Sequence, residues 1–261
     1  MVKKTARIFN LAGKPAGRIG LPSVFATPLR PDVIRRAVLA MQSCRFQPQG
    51  RDPMAGKRTT AESRGTGMGI ARIPRRKGPG GRAAFAPGTV GGRQGHPPTS
   101  KKKLLKKIPR KEKHLALFSA IAATAAKEVV KARGHDIVDV VGFPLIVTND
   151  FEGLKKTKEV EEVLIRLGIL SDIFRVRESR RTKAGKGKIR GRKTKQASGP
   201  LIVVNENKGV VEAAENIPGV NAVTVTNLNV ELLAPGAHPG RLAVWTSQAI
   251  EELDKLYKRG V

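Results

Sequence analysis

The stretch GPLIVVNENKGVVEAAENIPGVNAVTVTN, residues 199–227, decides the fold class. It opens with LIVV, a continuous apolar run rich in β-branched residues. It passes through KGVVEAAENIPG, a helical pattern closed by Pro218 and Gly219, and ends in NAVTVTN, a second β-type run. A strand without polar alternation is buried on both faces, as in a parallel sheet with helices above and below. The fragment therefore predicts an α/β chain with a mostly parallel sheet covered by helices.

The pattern continues on both sides. Downstream, APGAHPG reads as a loop, RLAVW as a strand and TSQAIEELDKLYK as a helix that Thr246 or Ser247 can cap, with Glu251 in its first turns. Upstream, DIVDVV and FPLIVT read as β segments, TKEVEEVLIRLG as a helix with a glycine stop, and DIFRVRES as a strand running into a basic segment. KEKHLALFSAIAATAAKEVVKARGHD predicts one Ala-rich helix ended by Gly134. PLRPDVIRRAVLAMQSCR starts a helix at Pro31 and Asp32 and lines up Val33, Ile34, Ala37, Val38 and Met41 on one face. The opening ARIFNLAGKPAGRIGLP has a β-type run at residues 8–11 and then Gly and Pro punctuation, which places a strand or hairpin at a sheet edge. No internal repeat is visible.

Between the first two helices periodicity disappears for some seventy residues. Charge marks the same place. The 261 residues hold 50 Lys and Arg against 21 Asp and Glu, a net charge of +29. Residues 45–113 hold about 19 basic and 3 acidic residues, and residues 175–195 about 11 basic against the single acid Glu178. The remainder is nearly neutral. The expected organisation is a discontinuous globular domain, residues 1–44 and 114–261, with a long basic Gly/Arg/Pro-rich loop at 45–113 inserted between two helices and a second basic loop at 179–199. A polyanion must relieve such self-repulsion, and nucleic acid is the first candidate.

Other classes lose their support residue by residue. GTGMGIA begins with Gly65 and Gly67, but the third glycine of a dinucleotide loop would fall at Ile70 and no strand precedes it; GKGKIRG fails in the same way, and no stretch matches a Walker A loop. His96, His114, His135 and His238 have no ligand-like spacing, and Cys44, the one cysteine, cannot make a zinc cluster or an internal disulfide. Cys44 reads as a small buried apolar residue and fits a reducing compartment. No catalytic site, cofactor, metal or small-molecule substrate is expected. No apolar run approaches the roughly 18 to 20 residues of a membrane span, and MVKKTARIFN lacks the apolar stretch of a signal peptide. The chain is read as soluble and cytoplasmic.

The insertion has a physical logic of its own. Arg and Lys neutralise phosphates, and the planar Arg fork also stacks on bases. The candidate RNA ligands on its first leg are Arg45, Arg51, Lys57, Arg58 and Arg64. Its middle offers Arg72, Arg75, Arg76, Lys77 and Arg82, and its return leg Arg93, Lys101, Lys102, Lys103, Lys106, Lys107 and Arg110. The second segment adds Arg180, Arg181, Lys183, Lys186, Lys188, Arg190, Arg192 and Lys193. Glycines permit close backbone approach, and Pro74, Pro79, Pro87, Pro97 and Pro98 limit the unbound chain's freedom. On composition alone the insertion is equally a disordered RGG-like linker. Its tethering by helices at both ends, with apolar residues such as Met68, Ile70, Ile73, Phe85, Val90, Leu104, Leu105 and Ile108 placed to dock on bases or neighbouring proteins, favours a defined shape. At about 3.3 Å per extended residue, some thirty residues out and thirty back reach at most on the order of 100 Å.

GTGMGIARIP (65–74), GHDIVDVVGFPLIV (134–147), TKAGKGKIRGR (182–192), the block from GPLIVV to RLAVWT (199–246) and AIEELDKLY (249–257) resemble the "L four" family of the large ribosomal subunit in its archaeal and eukaryotic form. The resemblance implies an α/β domain on the subunit surface and an extended loop that reaches inward through ribosomal RNA and supports subunit assembly. It implies a loop tip that helps line the polypeptide exit tunnel, beside an extended protein of the "L twenty-two" type. Carried onto this sequence, the tip falls around residues 65–81 and includes Gly67, Met68, Gly69, Ile70, Arg72, Arg75, Arg76 and Lys77. Two rival classes share some features: a nucleic-acid-compacting protein shares the charge, and a nucleotide-dependent enzyme shares the parallel sheet. Neither accounts for an internal Gly/Arg arm.

Overall fold

The computed structural model describes residues 5–258. The first residues of MVKKTARIFN thus lie outside the described residues. The chain divides into two compact units, Met1–Met41 with Lys107–Val261, and Gln42–Lys106. In chain order the elements are β1 (Thr5–Phe9), β2 (Pro15–Gly20), α1 (Pro31–Ser43), β3 (Ala61–Glu62), β4 (Arg75–Arg76), α2 (Arg110–Ala125), α3 (Lys127–Ala132), β5 (Leu145–Val147) and α4 (Thr157–Arg166). They continue with α5 (Leu170–Glu178), β6 (Arg181–Thr182), β7 (Thr194–Lys195), β8 (Leu201–Val204), α6 (Val210–Glu215), β9 (Asn221–Thr224), α7 (Val230–Leu233), β10 (Ala243–Thr246) and α8 (Ser247–Lys258).

The first unit is built on a six-stranded sheet of order β2-β1-β5-β10-β8-β9. β1 and β2 are antiparallel, and every other neighbouring pair is parallel. The expected α/β class with a mostly parallel sheet is thus what the chain adopts. Period-two alternation feeds two cores. Ile146, Leu201, Val203, Ala243 and Trp245 point into one, which α1, α2, α7 and α8 cover. Leu145, Val147, Ile202, Val204 and Val244 point into the other, under α4, α5 and α6. Each fully buried Leu, Ile or Val contributes about 1.5–3 kcal/mol, which is why the strands read as unbroken apolar runs.

Six points differ from the expectations. The opening strand is Thr5–Phe9, ahead of the anticipated residues 8–11, because the Asn10 side chain accepts from the N–H groups of Ala12 (3.0 Å) and Lys14 (2.9 Å) and turns the chain into β2. The single Ala-rich helix is two, broken at Ala126, whose ψ is 103°. The Thr124 hydroxyl bonds back to the Ile121 carbonyl at 2.7 Å, and the break lets Ala120 and Ile121 fill one core while Val130 enters the other. DIVDVV is not a strand: Asp136 N–H donates to Asp172 at 3.1 Å, and the Asp139 carbonyl passes so close to Gly168 that a Cβ there would sit 2.0 Å from it. DIFRVRES forms α5; Phe174 and Val176 alternating with Arg175 and Arg177 imitate a strand, but Ile173 and Val176, three apart, are what the core buries. The short helix α7 was not foreseen; Asn229 caps it by accepting from Leu232 N–H at 2.9 Å. Cys44, expected to be buried, is exposed.

Candidate nucleic-acid interface

The unit Gln42–Lys106 has almost no core, and single hydrogen bonds tie its outgoing leg to its returning leg. Lys106 N–H donates to the Ser43 hydroxyl at 2.9 Å, and Arg51 N–H to the Pro98 carbonyl at 3.2 Å. Farther along, Gly56 lies so close to the other leg that a Cβ on it would meet the Gly92 carbonyl oxygen at 2.4 Å; with φ +76° only glycine fits well. β3 pairs antiparallel with β4 through Ala61–Arg76 and Glu62–Arg75, and the Ser63 hydroxyl donates to the Arg72 carbonyl at 3.2 Å. The segment is an out-and-back loop pinned at intervals.

Several of the anticipated cations serve as pins. Arg58 grips Asp52 through both terminal nitrogens, one at 3.0 Å, and holds that carboxylate below its usual range. Arg51 Nη1 donates to Gln94 at 3.1 Å, Arg75 Nη1 to the Gly81 carbonyl at 3.2 Å, and the Arg93 guanidinium lies 5.7 Å over the Phe85 ring. Lys77 pairs with Glu62 at 3.2 Å, and Arg64 packs against Gly81. The other insertion candidates, Arg45, Lys57, Arg72, Arg76, Arg82, Lys101, Lys102, Lys103, Lys106, Lys107 and Arg110, are exposed. Arg110 is the first residue of α2, inside the stretch assigned to the loop. Its charged neighbours hide a helix start that Pro109 and Glu112 define, with Arg36 paired to Glu112 at 2.8 Å. Gly65, Gly67 and Gly69 have φ of +74°, +84° and +65° with open space around each, and Met68 and Ile70 between and beyond them are exposed.

The second basic segment leaves α5, not a strand, and returns into β8. β6 and β7 pair antiparallel at its base, and Lys183 N–H donates to the Lys193 carbonyl at 2.8 Å. Arg180, Arg181, Lys186, Lys188, Arg190, Arg192 and Lys193 are exposed and Lys183 half-buried. Both roots are fastened: the Ser179 hydroxyl donates to the Val176 carbonyl at 2.6 Å and accepts from Ala197 N–H at 2.8 Å.

Beneath this segment lies a charged network that sequence reasoning missed. Asp172, fully buried, meets His135 Nδ1 at 3.0 Å and Arg175 Nε at 2.8 Å, and Arg175 Nη2 donates to the Ser198 carbonyl at 3.0 Å. Burial alone would raise the Asp172 pKa, but the hydrogen bonds from His135 and Arg175 outweigh it and hold the carboxylate below its ordinary value. Arg241, 2% exposed, donates to the carbonyls of Gly199 (2.8 Å) and Leu232 (2.9 Å) and to Asn221 Oδ1 (2.6 Å). Burial first and the Arg133 charge next pull its guanidinium down to about 10, against the pull of Asp172. The only trace in the sequence is that Arg241 stands immediately before an apolar strand. Among the described residues no cluster of three or more His, Cys, Asp or Glu is arranged to hold a metal, and no helix is long and apolar enough to cross a membrane.

Comparison with known proteins adds a lineage. The model of the family described as "Ribosomal protein L4/L1 family" matches residues 19–256. A curated relative, "Large ribosomal subunit protein uL4" of Methanosphaera stadtmanae, is 48% identical over 252 residues, covering 97% of each chain. The protein of the same name from Saccharolobus islandicus strain M.14.25 / Kamchatka #1 is 50% identical over 261 residues, 99% of this chain and 97% of the relative.

Proposed function

The chain belongs to the ribosomal protein L4/L1 family, and from that premise we propose that it is a structural constituent of the large ribosomal subunit, bound to ribosomal RNA and without chemistry of its own. The observation that carries the reading is the unit Gln42–Lys106: a pinned out-and-back loop whose exposed surface is basic and whose legs bury almost nothing in each other.

In this reading the loop runs inward through ribosomal RNA. Arg72, Arg76, Arg82 and Lys101 to Lys103 meet phosphates, and the pins Arg51, Arg58, Arg75 and Arg93 keep the legs together. The glycines at 65, 67 and 69 bring the backbone close to its surroundings at the tip, where Met68, Ile70, Arg72, Arg75 and Arg76 face the exit tunnel beside a protein of the "L twenty-two" type. Arg180 to Lys193 make a second RNA contact beside the sheet. Counterion release supplies the affinity, so ten phosphate contacts give a log-log salt slope of about −9.

The native chain is expected to sediment with the large subunit, and photo-crosslinkers at Arg76 and Arg190 to join it to large-subunit RNA. A chain found only in ribosome-free fractions, or crosslinked only to DNA, would remove the reading.

A further inference from the structure

Between two of the pins in the unit Gln42–Lys106 lies a cleft of about 780 Å³ whose walls come from both legs. Phe46, Gln47 and Gln49 form one wall, and His96, Pro97, Pro98, Thr99, Lys101, Lys102 and Leu104 the other. The Ser43–Lys106 bond closes one end and the Arg51–Pro98 bond the other, while at Gly50 the legs come close enough that a Cβ would lie 3.2 Å from Ser100 N. The cleft is therefore bracketed by one tie to a side-chain hydroxyl and one between backbones. Its volume falls in the roughly 300–1,000 Å³ range of small-ligand sites.

Its chemistry names the occupant. The Phe46 ring is 62% exposed in a segment with no core to account for it. An exposed aromatic beside flat prolines is a surface on which a nucleobase stacks. Gln47, Gln49 and Thr99 bring hydrogen-bonding groups to a base edge, and Lys101 and Lys102 bring two charges to the adjoining phosphates. No carboxylate lines the cleft, and the nearby Asp52 is held by Arg58. Resting on the RNA-binding reading above, we propose that this cleft takes an unstacked nucleotide of ribosomal RNA, its base against Phe46 and its phosphates at Lys101 and Lys102. A protein segment without carboxylates would leave those two charges without a partner.

The test uses the full-length chain and protein-free archaeal large-subunit RNA, with affinity measured across a salt titration. Stacking is not a counterion effect, so Phe46→Ala should weaken binding about 5- to 100-fold at every salt concentration and leave the slope unchanged. The double variant Lys101→Ala/Lys102→Ala should instead flatten the slope by about 2. Phe46→Trp should retain affinity and show indole fluorescence quenched by RNA, a signal that a purely structural role would not give. Because Phe46 is exposed, the thermal unfolding of each variant should match the parent. Wild-type affinity in Phe46→Ala, or a loss that vanishes as salt rises, overturns the cleft assignment. So does unchanged RNA affinity together with lost retention of a ribosomal protein. Failure of the unmodified chain to bind the RNA at all would instead overturn the broader ribosomal reading.

Discussion

Asp172 shows how one side chain sets a stability profile. It is buried, accepts from His135, Arg175 and the Asp136 backbone, and has a folded-state pKa below its ordinary value. Such a group stabilises the fold above its unfolded pKa, and the contribution drains away as pH falls through the folded one. The effect is thus complete at neutral pH and fades below about pH 4. Asp172→Asn, which leaves His135 and Arg175 with a neutral partner, is expected to cost on the order of 3 kcal/mol at neutral pH and to shorten the acid limb of stability. Urea unfolding at a series of pH values measures both, and an unchanged acid limb would refute the assignment. Trp245 makes a second case. It is fully buried, packs edge-on against Phe25 with centroids 5.8 Å apart, and its indole N–H meets no hydrogen-bond acceptor among the described residues. Trp245→Ala should cost about 3–5 kcal/mol through the cavity it leaves. Trp245→Phe should cost much less, because it removes an unsatisfied donor worth about 1–3 kcal/mol along with some packing. Equal losses in the two variants would mean that the indole N–H is paired in the folded chain.

At the scale of elements, legibility followed the physics each pattern reports. β8, β10 and α1 were readable because burial on both faces gives unbroken Leu, Ile and Val, and burial on one helical face gives Val33, Ile34, Ala37 and Val38. α5 was not, since its arginines fall at strand period, and neither was the break at Ala126, which exists only because two cores on opposite faces must both be filled. The basic segments were legible by charge, but the pins within them were not. Contacts such as Arg51 to Gln94 or Gly56 against Gly92 join residues some forty positions apart, and no local pattern encodes them. Phe46 was passed over for the same reason: its cleft exists only once residues 96–104 are brought opposite it. The pins carry a prediction. Gly56→Ala places a methyl only 2.4 Å from the Gly92 carbonyl oxygen and strains a left-handed backbone, so the legs must part. RNA affinity should fall about tenfold or more while the main unfolding transition keeps its midpoint, since that transition reports the two cores of the sheet. A shifted midpoint with unchanged RNA affinity would show that Gly56 serves the sheet instead. Deleting residues 65–81 should likewise spare cooperative unfolding, because among the core residues of the sheet none comes from that stretch.

The whole chain carries +29, of which residues 45–113 and 175–195 supply about +26. A sheet domain with two apolar cores needs no counterion to fold; a leg-to-leg tie made of single exposed hydrogen bonds does not offset that repulsion, because each contributes only about 0.5–1.5 kcal/mol and exposed ion pairs about 0–1. The inserted unit should therefore respond to RNA and salt, and the sheet domain to neither. Without RNA, trypsin is expected to cut first within residues 45–113, then within the exposed basic loop at 180–195, and to leave a resistant product built on the two cores of the sheet. Adding large-subunit RNA at low salt should protect the segment, and raising the salt should remove the protection as the counterions return, while the resistant product stays intact throughout. The decisive comparison is the cleavage rate in the segment with and without RNA at each salt concentration. Equal, slow cutting of the RNA-free chain would mean that the segment's own ties hold it, and that the polyanion does not supply its order.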